Sequence, residues 1–220
     1  YVGSPLLYAA GFMIFFGFAA KAGMFPLHGW LPKAYPAAPA PATAALSGIL
    51  SKAGVYGVIV VTLKILSESF TWAVIVLVLG VLTMFIGALF ALMSNNLKET
   101  LAYSSMSQIG FIIIGVAMTS VLGEEGAIAS YGAVLHMINH TLIKLVLFTS
   151  AGIVYRNTHS LNLNDVQGFG KDKPFLKVCF GIAACGIMGI PGFNGYVSKT
   201  LLHEGIVERI HLVSETALPF

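Results

Sequence analysis

Residues 70–93 read FTWAVIVLVLGVLTMFIGALFALM and decide the fold class, because this stretch contains no charged side chain. A helix of about 20 apolar residues crosses the hydrocarbon core of a bilayer. The whole chain has the same character: 57% of its 220 residues are hydrophobic, only 10% are charged, and the mean hydropathy is +0.86. So few charges could not cover a water-exposed surface without leaving large apolar patches. The sequence therefore predicts an all-α, polytopic membrane helix bundle.

Five further segments are apolar and long enough to span a membrane. The six predicted spans cover residues about 4–33, 41–65, 70–93, 100–121, 126–154 and 174–212. The first is broken near Gly23 and Pro26, and the last is broken at Ile190-Pro191-Gly192. A proline frees backbone carbonyls, which in lipid must be satisfied by protein or by a water-filled cavity. Paired broken helices place ion sites at the midplane of inverted-repeat transporters, although Pro and Gly are also simply more frequent in membrane helices.

Six ionisable side chains lie inside these spans or at their breaks. They are Lys21, Lys52, His136, His140, Lys144 and Lys199. A charge at the bilayer centre costs roughly 2.5–3.5 kcal/mol on insertion scales, so such groups usually face the bundle interior and mark an ion pathway. A lysine near a helix end commonly extends to the interface instead, which is the alternative interpretation for Lys21 and Lys199. Ordinary interfacial anchors are expected at Lys33, Lys98, Lys171, Lys173 and Lys177.

The fifth predicted span carries three of these groups on one face. His136, His140 and Lys144 recur every four residues, and Asn139 lies beside them, so a helix would place the three in a row. Histidine changes its charge near neutral pH, and burial disfavours the charged form of lysine, so the row can accept and release protons. A metal site formed by the two histidines is an alternative. Because no cysteine or carboxylate lies near them in the sequence, we expect no metal.

Several motifs, taken in order, resemble those of the antiporter-like, proton-translocating membrane subunits. The matching stretches are Lys21–Pro32 (KAGMFPLHGWLP), Lys98–Ser105 (KETLAYSS) with Gln108-Ile109-Gly110, and the stretch from His136 to Gly152. This family occurs in respiratory complex I, in Mrp-type cation/proton antiporters and in membrane-bound hydrogenase complexes. The resemblance extends over nearly the whole chain.

The resemblance implies a fold of about fourteen helices that contains two inverted five-helix repeats. Residues 1–220 would then be a fragment of the proton-conducting transmembrane domain, from about the seventh helix to the twelfth. The chain starts at Tyr1 without a methionine and stops at Phe220 without a tail, which also suggests a piece of a longer protein.

The resemblance further implies roles for the two lysines in the first half of the chain. Lys21 matches the central proton carrier of the first half-channel, on the broken seventh helix, and Lys52 matches the connecting lysine on the eighth. The family also has a glutamate on its fifth helix that pairs with the equivalent of Lys21. That glutamate would lie before Tyr1.

For the second half, the resemblance implies that His136, His140 and Lys144 form the polar axis on the eleventh helix. Lys199 matches the ionisable residue on the broken twelfth helix, which leads to the exit. Several complex I members have a glutamate where Lys199 stands. The stretch Asn194–Glu204 looks most like subunits of hydrogenase-linked or Mrp-linked complexes.

We therefore expect translocation of protons, or of cations and protons, within a hydrogenase-linked, Mrp-type or complex I-like assembly in the cell membrane of a prokaryote. The expected partners are the other membrane subunits and the lipid bilayer, and a net charge of +3 gives no reason to expect nucleic acid. The sequence contains no nucleotide, flavin or cluster motif, so we expect no cofactor and no catalytic site of its own. Two alternatives stay open: a structural subunit that transports nothing, and a stand-alone secondary transporter for a small solute.

Overall fold

Eight helices make up the part of the chain that the computed structural model describes, which is residues 5–217 without the side chains of 124, 125, 209 and 211–217. In chain order they are α1 (Pro5–Ala22), α2 (Leu31–Ala37), α3 (Ala40–Ile65), α4 (Phe70–Met93), α5 (Leu97–Leu122), α6 (Ala127–Thr158), α7 (Pro174–Met188) and α8 (Asn194–Ala217). Five are long and apolar enough to cross a membrane: α1, α3, α4, α5 and α6. The predicted all-α membrane bundle is confirmed, although the predicted start of its first span at residue 4 lies outside the described residues.

Both predicted breaks are present, and the two helices that precede them end in the same way. α1 ends where Gly23 adopts a left-handed conformation (φ 77°), and α7 ends where Gly189 does so (φ 81°). In each case the amide of the following residue donates to the carbonyl five residues before it, at 3.0 and 3.2 Å. This Schellman arrangement satisfies carbonyls at the helix end and favours glycine. The second break therefore begins at Gly189, one residue before the stretch Ile190-Pro191-Gly192 where the sequence predicted it.

Each break lies at the middle depth of the bundle. α1 runs antiparallel to α3, so that Gly11 meets Leu66 and the last turn of α1 meets Gly54. The break that follows α1 is therefore level with the middle of α3. At the second break, Asn194 at the start of α8 contacts Asn139 in the middle of α6. α6 runs antiparallel to α3, with Gly152 at Ala40 and Gly48 at Thr141, and antiparallel to α7, with Lys173 at Asn157 and Gly186 at Ile143. α1 and α7 therefore approach their breaks from opposite ends of the bundle.

α5 lies at the centre of the described bundle. Most of α5 is buried, whereas most of α1 and α4 is exposed. Gly87 of α4 approaches α5 so closely that a Cβ atom on it would lie 2.6 Å from the backbone nitrogen of Ser107. Small residues of this kind let membrane helices pack closely. The outer face of α4 presents large apolar side chains, among them Val78, Phe85 and Leu92, as a surface in contact with lipid or with another helix requires.

Candidate functional site

The polar row of the fifth predicted span lies on α6 and is buried. His136, His140 and Lys144 are 3%, 1% and 0% exposed, and Asn139 beside them is also buried. Hydrogen bonds connect the row to α3, α5 and α8. The row thus faces the interior of the bundle, as the cost of charge in lipid requires.

Lys52 of α3 reaches the middle of the row. Its Nζ lies 2.7 Å from Nδ1 of His140 and donates to the carbonyl of Ser47 at 2.6 Å. That carbonyl belongs to a π-helical turn over Leu46–Leu50, where the regular hydrogen-bond ladder of α3 is interrupted. Lys52 and His140 share one hydrogen bond, in which either a charged lysine donates to a neutral imidazole or an imidazolium donates to a neutral amine. A proton can therefore pass directly between α3 and α6.

Lys144 is buried against α5. Its Nζ donates to the carbonyl of Leu101 at 2.9 Å and to the hydroxyl of Ser104. These acceptors are neutral, and no carboxylate among the described side chains lies within ion-pair distance of Lys144 or Lys52. Burying a charge without an opposite charge raises the free energy of the protein. Each additional proton on Lys52, Lys144 or the two histidines therefore raises that free energy further.

His136 uses both ring nitrogens, one toward α5 and one toward α8. Its Nε2 lies 3.1 Å from Oε1 of Gln108, and its Nδ1 lies 3.0 Å from Oγ of Ser198. An amide oxygen only accepts, so Nε2 carries a hydrogen. Neither nitrogen is free to bind a metal together with His140, and the described part of the chain contains no group of three metal-binding side chains.

Lys199 of α8 lies across the second break. Its Nζ donates to the carbonyl of Ile187 at 2.7 Å, in the last turn of α7. A cation is favourable there because the carbonyl end of a helix carries partial negative charge. The same Nζ lies 5.0 Å from the ring centre of Phe111, which lies 6.0 Å from the ring centre of His136. Lys199 thus satisfies a carbonyl that the break frees, and the ring of Phe111 separates its Nζ from the polar row.

An amide pair fixes the start of α8 against the row. Nδ2 of Asn139 donates to the backbone carbonyl of Asn194 at 2.9 Å, and Nδ2 of Asn194 donates to Oδ1 of Asn139 at 3.2 Å. Because the two bonds run in opposite directions between the same residues, they fix both the depth and the orientation of the second break relative to α6.

Lys21 is placed apart from this cluster. Its side chain is exposed in the last turn of α1. The carbonyl of Ala20 in the same turn accepts from Nε1 of Trp30 at 2.8 Å, so a tryptophan caps the first break. The structure therefore brings five of the predicted site residues into one region and leaves Lys21 outside it; the five are Lys52, His136, His140, Lys144 and Lys199. Among them, only Lys52 and His140 share a hydrogen bond in the described part of the chain.

Lys98 is not the interfacial anchor that the sequence predicted. It is buried, and its Nζ donates to the carbonyl of Ala38 at 2.7 Å and lies 5.8 Å from the ring centre of Tyr155. The connection between α2 and α3 is not helical at Ala38, which leaves this carbonyl available to a lysine from α5. The prediction was wrong because the acceptor lies 60 residues away in the chain.

Three polar side chains lie within hydrogen-bond distance of the polar row although the sequence predicted no role for them: Ser104, Gln108 and Ser198. The available signal was a polar residue inside an apolar span. That signal is weak for serine, because a helical serine commonly bonds to its own backbone. It is stronger for Gln108, whose amide is buried in the centre of α5.

Comparison with known proteins finds similar sequences in several membrane complexes. The family described as NADH:quinone oxidoreductase/Mrp antiporter, transmembrane, matches residues 1–217. The chain is 38% identical over 207 residues to NAD(P)H-quinone oxidoreductase chain 4 1 of Synechococcus elongatus, which covers 94% of this chain and 37% of that protein. It is 35% identical over 205 residues to hydrogenase-4 component B of Escherichia coli, which covers 89% of this chain and 30% of that protein.

Solved structures have the same architecture. A chain of the Mrp complex from Dietzia sp. DQ12-45-1b superposes with a TM-score of 0.87 at 28% identity, over 96% of this chain and 38% of that one. A chain of the membrane-bound sulfane sulfur reductase, an archaeal respiratory membrane complex, superposes with a TM-score of 0.78 at 30% identity, over 88% and 39%. The chain thus spans less than two fifths of the length of these relatives.

Proposed function

Because this chain belongs to the NADH:quinone oxidoreductase/Mrp antiporter transmembrane family, we propose that it conducts protons across a membrane as part of a longer subunit. It is a multi-pass membrane protein, and the relatives named above are prokaryotic. The observation that carries the proposal is the buried contact of 2.7 Å between Nζ of Lys52 and Nδ1 of His140. The proposed carriers are Lys21, Lys52, His136, His140, Lys144 and Lys199.

The proposed mechanism is electrostatic. Two like charges about 4 Å apart repel each other by about 4 kcal/mol at an effective dielectric constant of 20. A proton that arrives at Lys52 therefore raises the free energy of any proton held by its neighbours, and no described carboxylate offsets this repulsion. Since Lys52 and His140 already share a hydrogen bond, the proton that is repelled has a direct route from α3 to α6.

From His140 the route continues along α6. Nε2 of His140 is buried and has no hydrogen-bond partner among the described residues. A buried ring nitrogen requires a partner, and we propose that water connects it to the next carrier. Lys144 lies one helical turn away on one side and His136 one turn away on the other. His136 bonds to Ser198 of α8, and Lys199 is the next residue of that helix, separated from His136 by the ring of Phe111. We propose that water carries the proton between His136 and Lys199.

Lys21 enters this scheme through the rest of the longer protein. Its exposed position at the first break leaves it accessible to helices that this chain does not contain. We propose that the chain corresponds to the seventh to twelfth helices of the full subunit, and that a carboxylate from an earlier helix pairs with Lys21. The share of the relatives' length that the chain covers, 37% and 30%, is consistent with such a fragment.

The partners we propose are other membrane subunits of a multisubunit assembly. The similar proteins are named as a chain of a quinone oxidoreductase, a component of hydrogenase-4 and parts of two membrane complexes. The exposed apolar faces of α1 and α4 offer surfaces for such neighbours and for lipid.

The proposal is tested with Lys144→Met in the full-length protein within its own complex, reconstituted in liposomes. Methionine keeps a similar length but cannot carry a proton, so we expect proton pumping to fall by more than about tenfold while the complex still assembles. Lys177→Met, which changes an exposed lysine of α7, is the matched control. Normal pumping by an assembled Lys144→Met complex would identify a structural subunit instead. Solute uptake by the protein alone in liposomes would identify a secondary transporter.

A further inference from the structure

We infer that Ser198 and Gln108 are positioning residues that let His136 gain and lose a proton while α5, α6 and α8 stay in place. This inference deepens the proposed function and rests on it. The hydroxyl group of Ser198 lies within reach of two hydrogen-bond partners at once.

Ser198 Oγ lies 3.0 Å from Nδ1 of His136 and 3.1 Å from the backbone carbonyl of Gly195. A serine hydroxyl has a single hydrogen and two lone pairs. It can therefore donate to His136 or to Gly195, but not to both. Because the carbonyl can only accept, the direction of the hydroxyl depends on whether Nδ1 of His136 carries a hydrogen.

In the neutral state, Nε2–H of His136 donates to Oε1 of Gln108, and Nδ1 accepts the hydroxyl hydrogen of Ser198. In the protonated state, Nδ1–H donates to Oγ of Ser198, and the hydroxyl hydrogen turns to the carbonyl of Gly195. Nε2–H keeps the same acceptor in both states. One proton is bound or released at Nδ1, and a rotation of one O–H bond is the only other change.

The surroundings make these two acceptors important. His136, Gln108 and Ser198 are 3%, 8% and 0% exposed, so bulk water does not solvate the imidazolium. The basic side chains that face His136 are Lys199 from α8, Lys52 from α3 and His140 from α6 itself, while α5 contributes the uncharged Gln108 and Phe111. A proton on any of these side chains would repel a proton on His136, whereas the oxygens of Gln108 and Ser198 lie within hydrogen-bond distance of its ring and stabilise the imidazolium.

The test is solid-state NMR of the full-length protein with ¹⁵N-labelled histidine in liposomes, since the ¹⁵N shifts distinguish both neutral tautomers from the imidazolium. His136→Gln assigns the signal. We expect neutral His136 to carry its hydrogen on Nε2. We also expect Ser198→Ala to lower the pH at which His136 is half protonated by about one unit, the effect of losing one hydrogen bond to a charged group. Ser198→Thr, which restores the hydroxyl, returns it toward the wild-type value.

Thr200→Ala is the matched control, because the Thr200 hydroxyl bonds to the carbonyl of Tyr196 within α8 at 3.0 Å and lies outside the polar row. Gln108→Met is a second variant that removes the other acceptor, and it should also lower the midpoint. A hydrogen on Nδ1 in the neutral state, or midpoints in Ser198→Ala and Gln108→Met equal to that of Thr200→Ala, would overturn the inference. The NMR readout does not depend on pumping. If the proposed function failed but this inference held, Ser198→Ala would still lower the midpoint of His136, although the wild-type complex would move no protons.

Discussion

Replacing Lys52 by methionine breaks the proposed route at its shortest contact. The substitution removes the Nζ atom that lies 2.7 Å from His140 and 2.6 Å from the carbonyl of Ser47. A hydrogen bond to a charged group contributes about 1.5–3 kcal/mol, and 1.36 kcal/mol corresponds to a factor of ten. We therefore expect proton transfer between α3 and α6, and pumping with it, to fall roughly 10- to 100-fold. The free energy of unfolding should change little, because two effects of Lys52→Met oppose each other. The partners left unpaired cost about 1–3 kcal/mol each, while the cost of burying an amine disappears.

The assay is proton uptake by the full-length protein in its reconstituted complex, followed with a pH-sensitive dye inside the liposomes and divided by the turnover of the driving reaction. Lys64→Met is the control, since Lys64 is an exposed lysine on the same helix. Lys52→Arg separates charge from proton transfer, because arginine keeps the charge but does not release its proton; it should also fail to pump. Pumping by Lys52→Met within twofold of Lys64→Met, in complexes that assemble equally well, would refute the reasoning.

Two further predictions concern the packing that holds the site. Gly87→Ala should destabilise the full-length protein by about 1–3 kcal/mol in thermal unfolding, since the new Cβ would lie 2.6 Å from the backbone nitrogen of Ser107. Gly17→Ala is the control, because nothing lies within 4 Å of a Cβ there. Equal melting temperatures of the two variants would contradict the prediction. Asn139→Leu leaves the amide of Asn194 unpaired and should speed hydrogen exchange at the start of α8 by roughly tenfold or more. Unchanged exchange relative to Asn157→Leu, an exposed asparagine of α6, would show that the amide pair does not hold the second break.

The membrane bundle and the polar row could be predicted because both depend on short-range patterns. Residues 70–93 had to form a membrane-spanning helix, since the stretch has no charge and the length of a bilayer crossing. The spacing of His136, His140 and Lys144 placed them on one face of any helix that contains them. Because a charged side chain has a high free energy in lipid, that face was expected to point into the bundle. The breaks were predictable from Gly and Pro, but the exact ends depended on which glycine adopted the left-handed conformation.

Only the tertiary structure decided which groups meet across helices. Lys52 and His140 lie 88 residues apart in the chain, and His136 and Ser198 lie 62 apart. Such contacts depend on how far each helix is rotated about its own axis, and that rotation results from packing over its whole length. The same rotation turned Lys21 outward although it lies beside a break, and buried Lys98 although it begins a helix. Local periodicity therefore determines which side chains share a face, whereas helix packing determines what that face contacts.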